Sequence, residues 1–224
     1  MPGPALIKSA NRPVLTLEPC RDVETLCAFY RDQFQGFGGD LLTAAVERIA
    51  AAHPFLTIRD EMSLIGAIGA ISYETKPATE LILDHSRLPG IGIHKILAAL
   101  ETIWAFHTND RLEFCFCVTE KGSISSKNYS NIGFHAIDVG DSALPLEERP
   151  GIIGVPLLRN MVMILPRADI NQPVKWLKSR FHSGRFLVSS PGQPTYRLED
   201  ESLRIPLFRI VAGMKAVPAA HDEG

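Results

Sequence analysis

Arg87, Gly90 and Gly92 form an Arg-x-x-Gly-x-Gly series, and Ser125, Tyr129, Gly133 and Phe134 form a second series further along the chain. The first series has the composition of an anion-holding loop. Amides in the first turn of a helix have no partners within that helix, and the aligned peptide dipoles add partial positive charge there. A phosphate can fill the vacancy. Glycines at 90 and 92 let it approach the main chain, and Arg87 offers a cationic group with several donors. The second series offers a different chemistry, a phenol that can hold or release a proton.

Gly-x-Gly occurs by chance in many turns, so the flanks decide how much weight the loop carries. An apolar stretch at 81–83 reads as a strand entering it, and a helix is expected to begin near Ile91. Ile93, Ile96, Leu97, Leu100, Ile103 and Trp104 then fall at helical spacing, with His94, Lys95 and Glu101 off the stripe. Residues 112–118 are rich in aromatic and β-favouring types and read as the next strand. Ser125 and Tyr129 are four apart and share a face if helical. Gly133 would end that helix in a left-handed cap, with Phe134 opening another strand.

Together these two series resemble the GCN5-related N-acetyltransferase (GNAT) superfamily, which carries Arg/Gln-x-x-Gly-x-Gly/Ala after its fourth strand and a Ser or Ala, Tyr, Gly-Phe series later. The resemblance spans residues 14–167 and is strongest over 81–134. It implies an α/β (α+β) fold with a mixed central sheet of about six to seven strands flanked by helices. It also implies that acetyl-CoA is the acyl donor, held by Ile82, Leu83, Asp84, Arg87, Leu88, Gly90, Ile91, Gly92 and Ser125, and that Tyr129 protonates the departing thiolate. The chain departs from the pattern at Gly122, where the family often has Asn, and at Leu88 and Pro89 inside the loop. Pro89 removes one backbone donor.

The elements required to position these residues can be read from the pattern. Residues 14–17 form an opening strand, followed by a helix with Val23, Leu26, Cys27 and Tyr30 on one side. A break at 36–39 precedes a second helix at 41–52, stopped by His53-Pro54. Strands are expected at 55–58, 64–73 and 79–84, which places the loop after the fourth strand. Beyond Phe134, strands are expected at 135–139 and 160–165, with Pro145 and Pro150 in the loop between them. The resemblance implies that residues 1–167 form the acyltransferase-like domain. Residues 168–224 are a C-terminal extension expected to serve packing or a partner surface, with a turn at 191–194, apolar residues over 203–214 and a disordered tail at 218–224.

Composition fits without specifying this reading. The 224 residues are 46% hydrophobic, enough for a full core, and the formal net charge of −2 gives no basic excess for nucleic acid. Seven histidines are scattered, and Cys20, Cys27, Cys115 and Cys117 lack Cys-x-x-Cys spacing, so no metal centre is expected. Cys115 and Cys117 are expected as buried thiols on one strand face. Neither a secretory signal nor a membrane span is visible, which makes the cytoplasm the default location. The expected partners are acyl-CoA and an amine acceptor, a small molecule or a protein amine. The pattern is compatible with a homodimer.

Amine attack requires a base, because an ammonium ion has no free lone pair. Glu74, Glu80, Asp84 and His85 are the candidates beside the loop, and Glu80 is favoured because a half-buried carboxylate has raised proton affinity. Strict strand alternation puts Glu80 and Asp84 on one face and His85 on the other. Phe34, Phe37 and Tyr30 could wall an acceptor site within 29–39 and 141–159. Two alternatives remain at this level. One is a catalytically inactive GNAT-fold module that binds acyl-CoA for sensing or assembly. The other is a nucleotide loop, which the absence of Gly-Lys-Ser/Thr disfavours.

Overall fold

The computed structural model describes residues 13–31, 39–88, 90–137, 144–145, 160–182, 185–188 and 195–200. The chain opens with strand β1 (Val14–Cys20), followed by helices α1 (Val23–Arg31) and α2 (Gly39–Ala52). Three strands follow, β2 (Phe55–Arg59), β3 (Leu64–Ser72) and β4 (Ala78–Ser86). Helix α3 (Ile93–Thr108) leads to β5 (Phe114–Glu120), and α4 (Ile124–Asn131) to β6 (His135–Ile137) and β7 (Asn160–Pro166). A 3-10 turn (Arg167–Asp169) leads to α5 (Asn171–Lys178), then β8 (Phe181–His182), β9 (Arg185–Val188) and β10 (Tyr196–Asp200).

The strands form one mixed sheet in the order β6-β7-β5-β4-β3-β2-β1-β10-β9-β8. Its first seven strands are those expected from sequence. β10 runs parallel to β1 and carries β9 and β8 with it, so the described part of the chain beyond Arg180 lengthens the sheet. The turn at 191–194 and the segments 203–214 and 218–224 lie outside the described residues. Among the described residues the only other parallel pair is β4 with β5. Parallel neighbours need a crossover, and α3 supplies it.

Helices cover both faces. Leu26, Phe29 and Tyr30 of α1 and Leu42, Val46 and Ile49 of α2 pack on one, together with Ile82 and Leu83. α3 packs on the other with Tyr129 of α4 and Val174 and Leu177 of α5. α3 lies so close to β3 that a side-chain carbon at Gly66 would come within 2.7 Å of Ile93 Cγ2. The expected apolar stripe on α3 is therefore too narrow a description, since Glu101 is fully buried and the His94 side chain is only 16% exposed. His94, Leu97, Ala98 and Glu101 stand at i, i+3, i+4 and i+7, one helix face. Sealed between sheet and covering helices, α3 is buried almost all round. Cys115 and Cys117 are buried on the α3 face.

Candidate functional site

β4 and β5 pair only at Ala78↔Phe114, Thr79↔Cys115 and Glu80↔Phe116, although β4 continues to Ser86 and β5 to Glu120. Past Glu80 and Phe116 the two strands part. β5 stays fully paired with β7 on its other side, so the opening lies on its β4 edge. The gap is a cleft of about 110 Å³ lined by Glu80, Ile82, Leu83, Asp84, Cys117, Ser125 and Tyr129, among others.

β4 also carries a bulge. Ala67 pairs with His85 and Gly69 with Ile82, so three steps on β4 oppose two on β3. Leu83 absorbs the extra residue with a left-handed φ of 53°, and the Tyr30 hydroxyl donates to its carbonyl at 2.5 Å. Ile82 and Leu83 consequently both face α1 and α2. The bulge overturns the face assignment drawn from strict alternation. Asp84 turns toward α3 and α4, while Glu80 and His85 stay on the opposite side, against Tyr73 and Phe29 respectively. A leucine gives no local signal for such a conformation, because its side chain disfavours it.

The loop after β4 delivers its glycines to the start of α3. Gly90 and Gly92 have φ of 84° and 85°, and Gly92 caps the helix without any side-chain hydrogen bond. The first backbone bond of α3 runs from Ile96 N–H to the Gly92 carbonyl, which leaves the preceding amides without partners inside the helix. A cleft of about 480 Å³ opens beside this turn, lined by Leu88, Gly90, Gly92, Lys95, Ile124 and Asn128 among others. Ile91 is buried beneath it. Arg87 is turned to α1, where its guanidinium sits 4.9 Å over the Phe29 ring and donates to the Phe29 carbonyl at 3.1 Å. Lys95, absent from the sequence-based set, is the basic side chain that lines the mouth.

α4 brings Ser125 and Tyr129 to the boundary between the two clefts. Ser123 starts it by accepting from Ser126 N–H at 3.1 Å, an ordinary N-cap. The helix ends with Gly133 at φ 105°, Gly133 N–H bonded to the Ser130 carbonyl and Phe134 N–H to the Tyr129 carbonyl. That pair of bonds is a Schellman cap, which holds Tyr129 in the last turn. At the position of the family's Asn, Gly122 forms a turn with φ 76°.

Side chains converge where the clefts meet, with Asp84, His94 and Ser125 lining both. Tyr129, 3% exposed, donates its hydroxyl to Asp84 Oδ2 at 2.8 Å. His94 Nδ1 lies 3.1 Å from the same oxygen, but off the line of a good hydrogen bond, and its Nε2 is 3.5 Å from Ser125 Oγ. Asp84 Oδ1 is buried without a hydrogen-bond partner. Burial pushes the Asp84 carboxyl well above the usual carboxylate range, against the lowering effect of the Tyr129 bond. Burial, reinforced by the charges of His85 and Lys95, takes His94 down to about 4, so its imidazole is neutral near pH 7. The Tyr129 phenol is raised well above its ordinary value by burial and then by Asp84.

Glu80 is 1% exposed and accepts the Tyr73 hydroxyl at 2.6 Å on Oε2. Tyr30, suggested as an acceptor-site wall, is instead buried under the β4 bulge. Phe34 and Phe37 lie outside the described residues. His94 is not among the site residues expected from sequence because it lies off the apolar stripe, although its shared face with Leu97 and Ala98 is a usable signal.

No protein-family model and no curated protein matches the sequence. Solved structures do match. An acetyltransferase of the GNAT family from Staphylococcus aureus Mu50 aligns with TM-score 0.51 at 18% identity, over 68% of this chain and 99% of its own. FdhC in its apo form, a nucleotide-linked sugar GNAT, aligns with TM-score 0.52 at 14% identity, over 76% of this chain and 96% of its own. This chain has the GNAT fold. Identities this low carry the architecture and no substrate. Within the GNAT fold, the parted β4 and β5, the glycine turn and Tyr129 occupy one continuous region.

Proposed function

We propose that the protein is an acyl-CoA-dependent N-acyltransferase that moves acetyl from acetyl-CoA to a primary amine by direct attack in a ternary complex. The observation that carries this is the parting of β4 from β5 after Glu80↔Phe116, next to a helix start capped by no side chain. First-turn amides of α3 around Gly92 suit a diphosphate, and a side-chain carbon at Gly92 would meet nothing nearer than Lys95 Cε at 3.9 Å. Leu88, Gly90, Ile91 and Ser125 shape the approach, and Arg87 steadies the loop from α1. Main-chain donors of β4 near Ile82, Leu83 and Asp84 are suited to polarise a carbonyl lying in the gap. Tyr129 is assigned the proton given to the leaving sulfur. Glu80, on the wall of the same gap, is assigned the proton taken from the amine.

Calorimetry with acetyl-CoA, CoA and ATP tests the binding half of this reading, and thiol release across an amine panel tests the chemical half. Micromolar acetyl-CoA binding with indifference to ATP is expected, with at least one amine accelerating thiol release. Tyr129→Phe should lower kcat by about 10²-fold or more, the usual contribution of a general acid. Absence of acetyl-CoA binding removes the proposal. Binding without thiol release for any amine would favour the inactive module, a reading supported by the engagement of the Tyr129 proton with Asp84.

A further inference from the structure

Asp84 has an environment that a carboxylate would not choose. Its side chain is 6% exposed, one oxygen has no hydrogen-bond partner, and the other accepts a single phenol hydrogen bond. No lysine or arginine is in contact with it among the described residues. The groups facing it are Tyr129 of α4, His94 of α3 and Cys117 of β5, with His85 its neighbour on β4 and Tyr30 of α1 within electrostatic reach from the other side of the strand. An isolated buried charge is costly, whereas a neutral carboxylic acid in the same place can donate as well as accept.

This arrangement matters for Tyr129. While the phenol proton points at an ionised Asp84, it cannot point at a sulfur in the gap. Once Asp84 is protonated, the same 2.8 Å contact can run the other way, from carboxyl O–H to phenol oxygen, and the phenol proton is released toward the cleft. We infer that Asp84 is the proton-holding and positioning partner of Tyr129, which turns the phenol toward the cleft and reloads it after each proton delivery. The inference rests on the proposed acyltransfer reading and deepens it.

The protons balance in one turnover. The Tyr129 O–H bond breaks as the thiolate sulfur gains an S–H bond. The Asp84 O–H bond breaks in turn and restores the phenol. The amine proton passes to Glu80 and from there to solvent. Asp84 regains a proton from water through the larger cleft, which it lines together with His94 and Ser125. Burial raises the Asp84 carboxyl and so favours its loaded, neutral form, and the neutral His94 beside it offers no competing positive charge.

The test is Asp84→Asn, which keeps shape and a donor but holds no transferable proton. Acetyl-CoA affinity should stay within about threefold by calorimetry, while kcat for thiol release falls about 10- to 100-fold. In the wild type kcat should decline as pH rises through the ionisation of Asp84, and this decline should be missing in Asp84→Asn. In a Tyr129→Phe background the same substitution should change kcat little, because both residues serve one transfer. Wild-type kcat and an unaltered pH profile in Asp84→Asn would overturn the inference. Should that variant not fold, rates of the wild type in mixtures of light and heavy water decide. A curved dependence supports two protons in motion, and a linear one overturns the relay. Loss of acetyl-CoA binding by the wild type would instead remove the underlying acyltransfer reading.

Discussion

The hydroxyl of Tyr30 in α1 donates a 2.5 Å hydrogen bond to the carbonyl of Leu83, the residue of β4 with left-handed φ. Tyr30 is fully buried, so this bond ties the bulge to a helix on the opposite face from Asp84. The bulge is what aims Asp84 at Tyr129.

Replacing Tyr30 by Phe should therefore be felt in two places. Leaving a buried carbonyl without its donor costs about 1–3 kcal/mol, which a lowered urea midpoint would show. Relaxation of Leu83 should also reduce thiol-release activity beyond the loss expected from unfolded protein. An unchanged midpoint would mean that the bulge holds itself without Tyr30.

Gly92→Ala separates conformation from space. The added carbon meets nothing closer than 3.9 Å, yet φ of 85° is strained for alanine. The cost is about 1–2 kcal/mol, and acetyl-CoA affinity measured by calorimetry should fall about tenfold as the first turn of α3 shifts. Equal affinity in the variant would show that the amides there do not grip the ligand.

His94 should make the protein acid-labile. Its folded pKa of about 4 lies below the ordinary 6.5, so the unfolded chain binds more protons between those values. Stability attached to neutral His94 is complete above pH 6.5 and is lost as pH falls toward 4, an effect on the order of 3 kcal/mol. Urea midpoints at pH 7 and pH 4.5 should therefore differ less in His94→Gln than in the wild type.

Glu101 should act with the opposite sign. It is fully buried, with His53 Nε2 at 3.0 Å from Oε1, the Trp104 ring 4.3 Å from the His53 ring, and Oε2 without a hydrogen-bond partner. Burial raises its pKa above the ordinary 4.5, outweighing the bond to His53. The folded state then binds the extra proton, so this stability is present below pH 4.5 and is lost as pH rises through the folded value. Glu101→Gln keeps a polar partner for His53 without the charge. It should flatten that decline and raise the urea midpoint at pH 8 relative to the wild type.

Much of the architecture was legible because it is written in short-range patterns. Helical spacing marked α1, α2 and α3, and Gly133 following Tyr129 by four residues marked the cap of α4, since only local backbone geometry is needed for either. The glycines of the loop were readable for the same reason. Their positive φ values are imposed at their own positions. Glu101 and His94 could not be placed from spacing alone because burial on their face of α3 depends on what covers it, here β3 at Gly66 beside Leu97 and His53 beside Glu101.

By itself the sequence determined the order of the first seven strands, the turn that opens α3 and the shared face of Ser125 and Tyr129, all local consequences of residue type and period. Only the tertiary structure decided that Asp84, not Glu80, meets Tyr129. That outcome depends on one extra residue in β4, pairing with β3 across the sheet and held by Tyr30 from another helix, and no local preference of Leu83 encodes it. A one-residue offset reverses every side chain beyond it, which is why the sequence pattern could not say which carboxylate turns toward Tyr129.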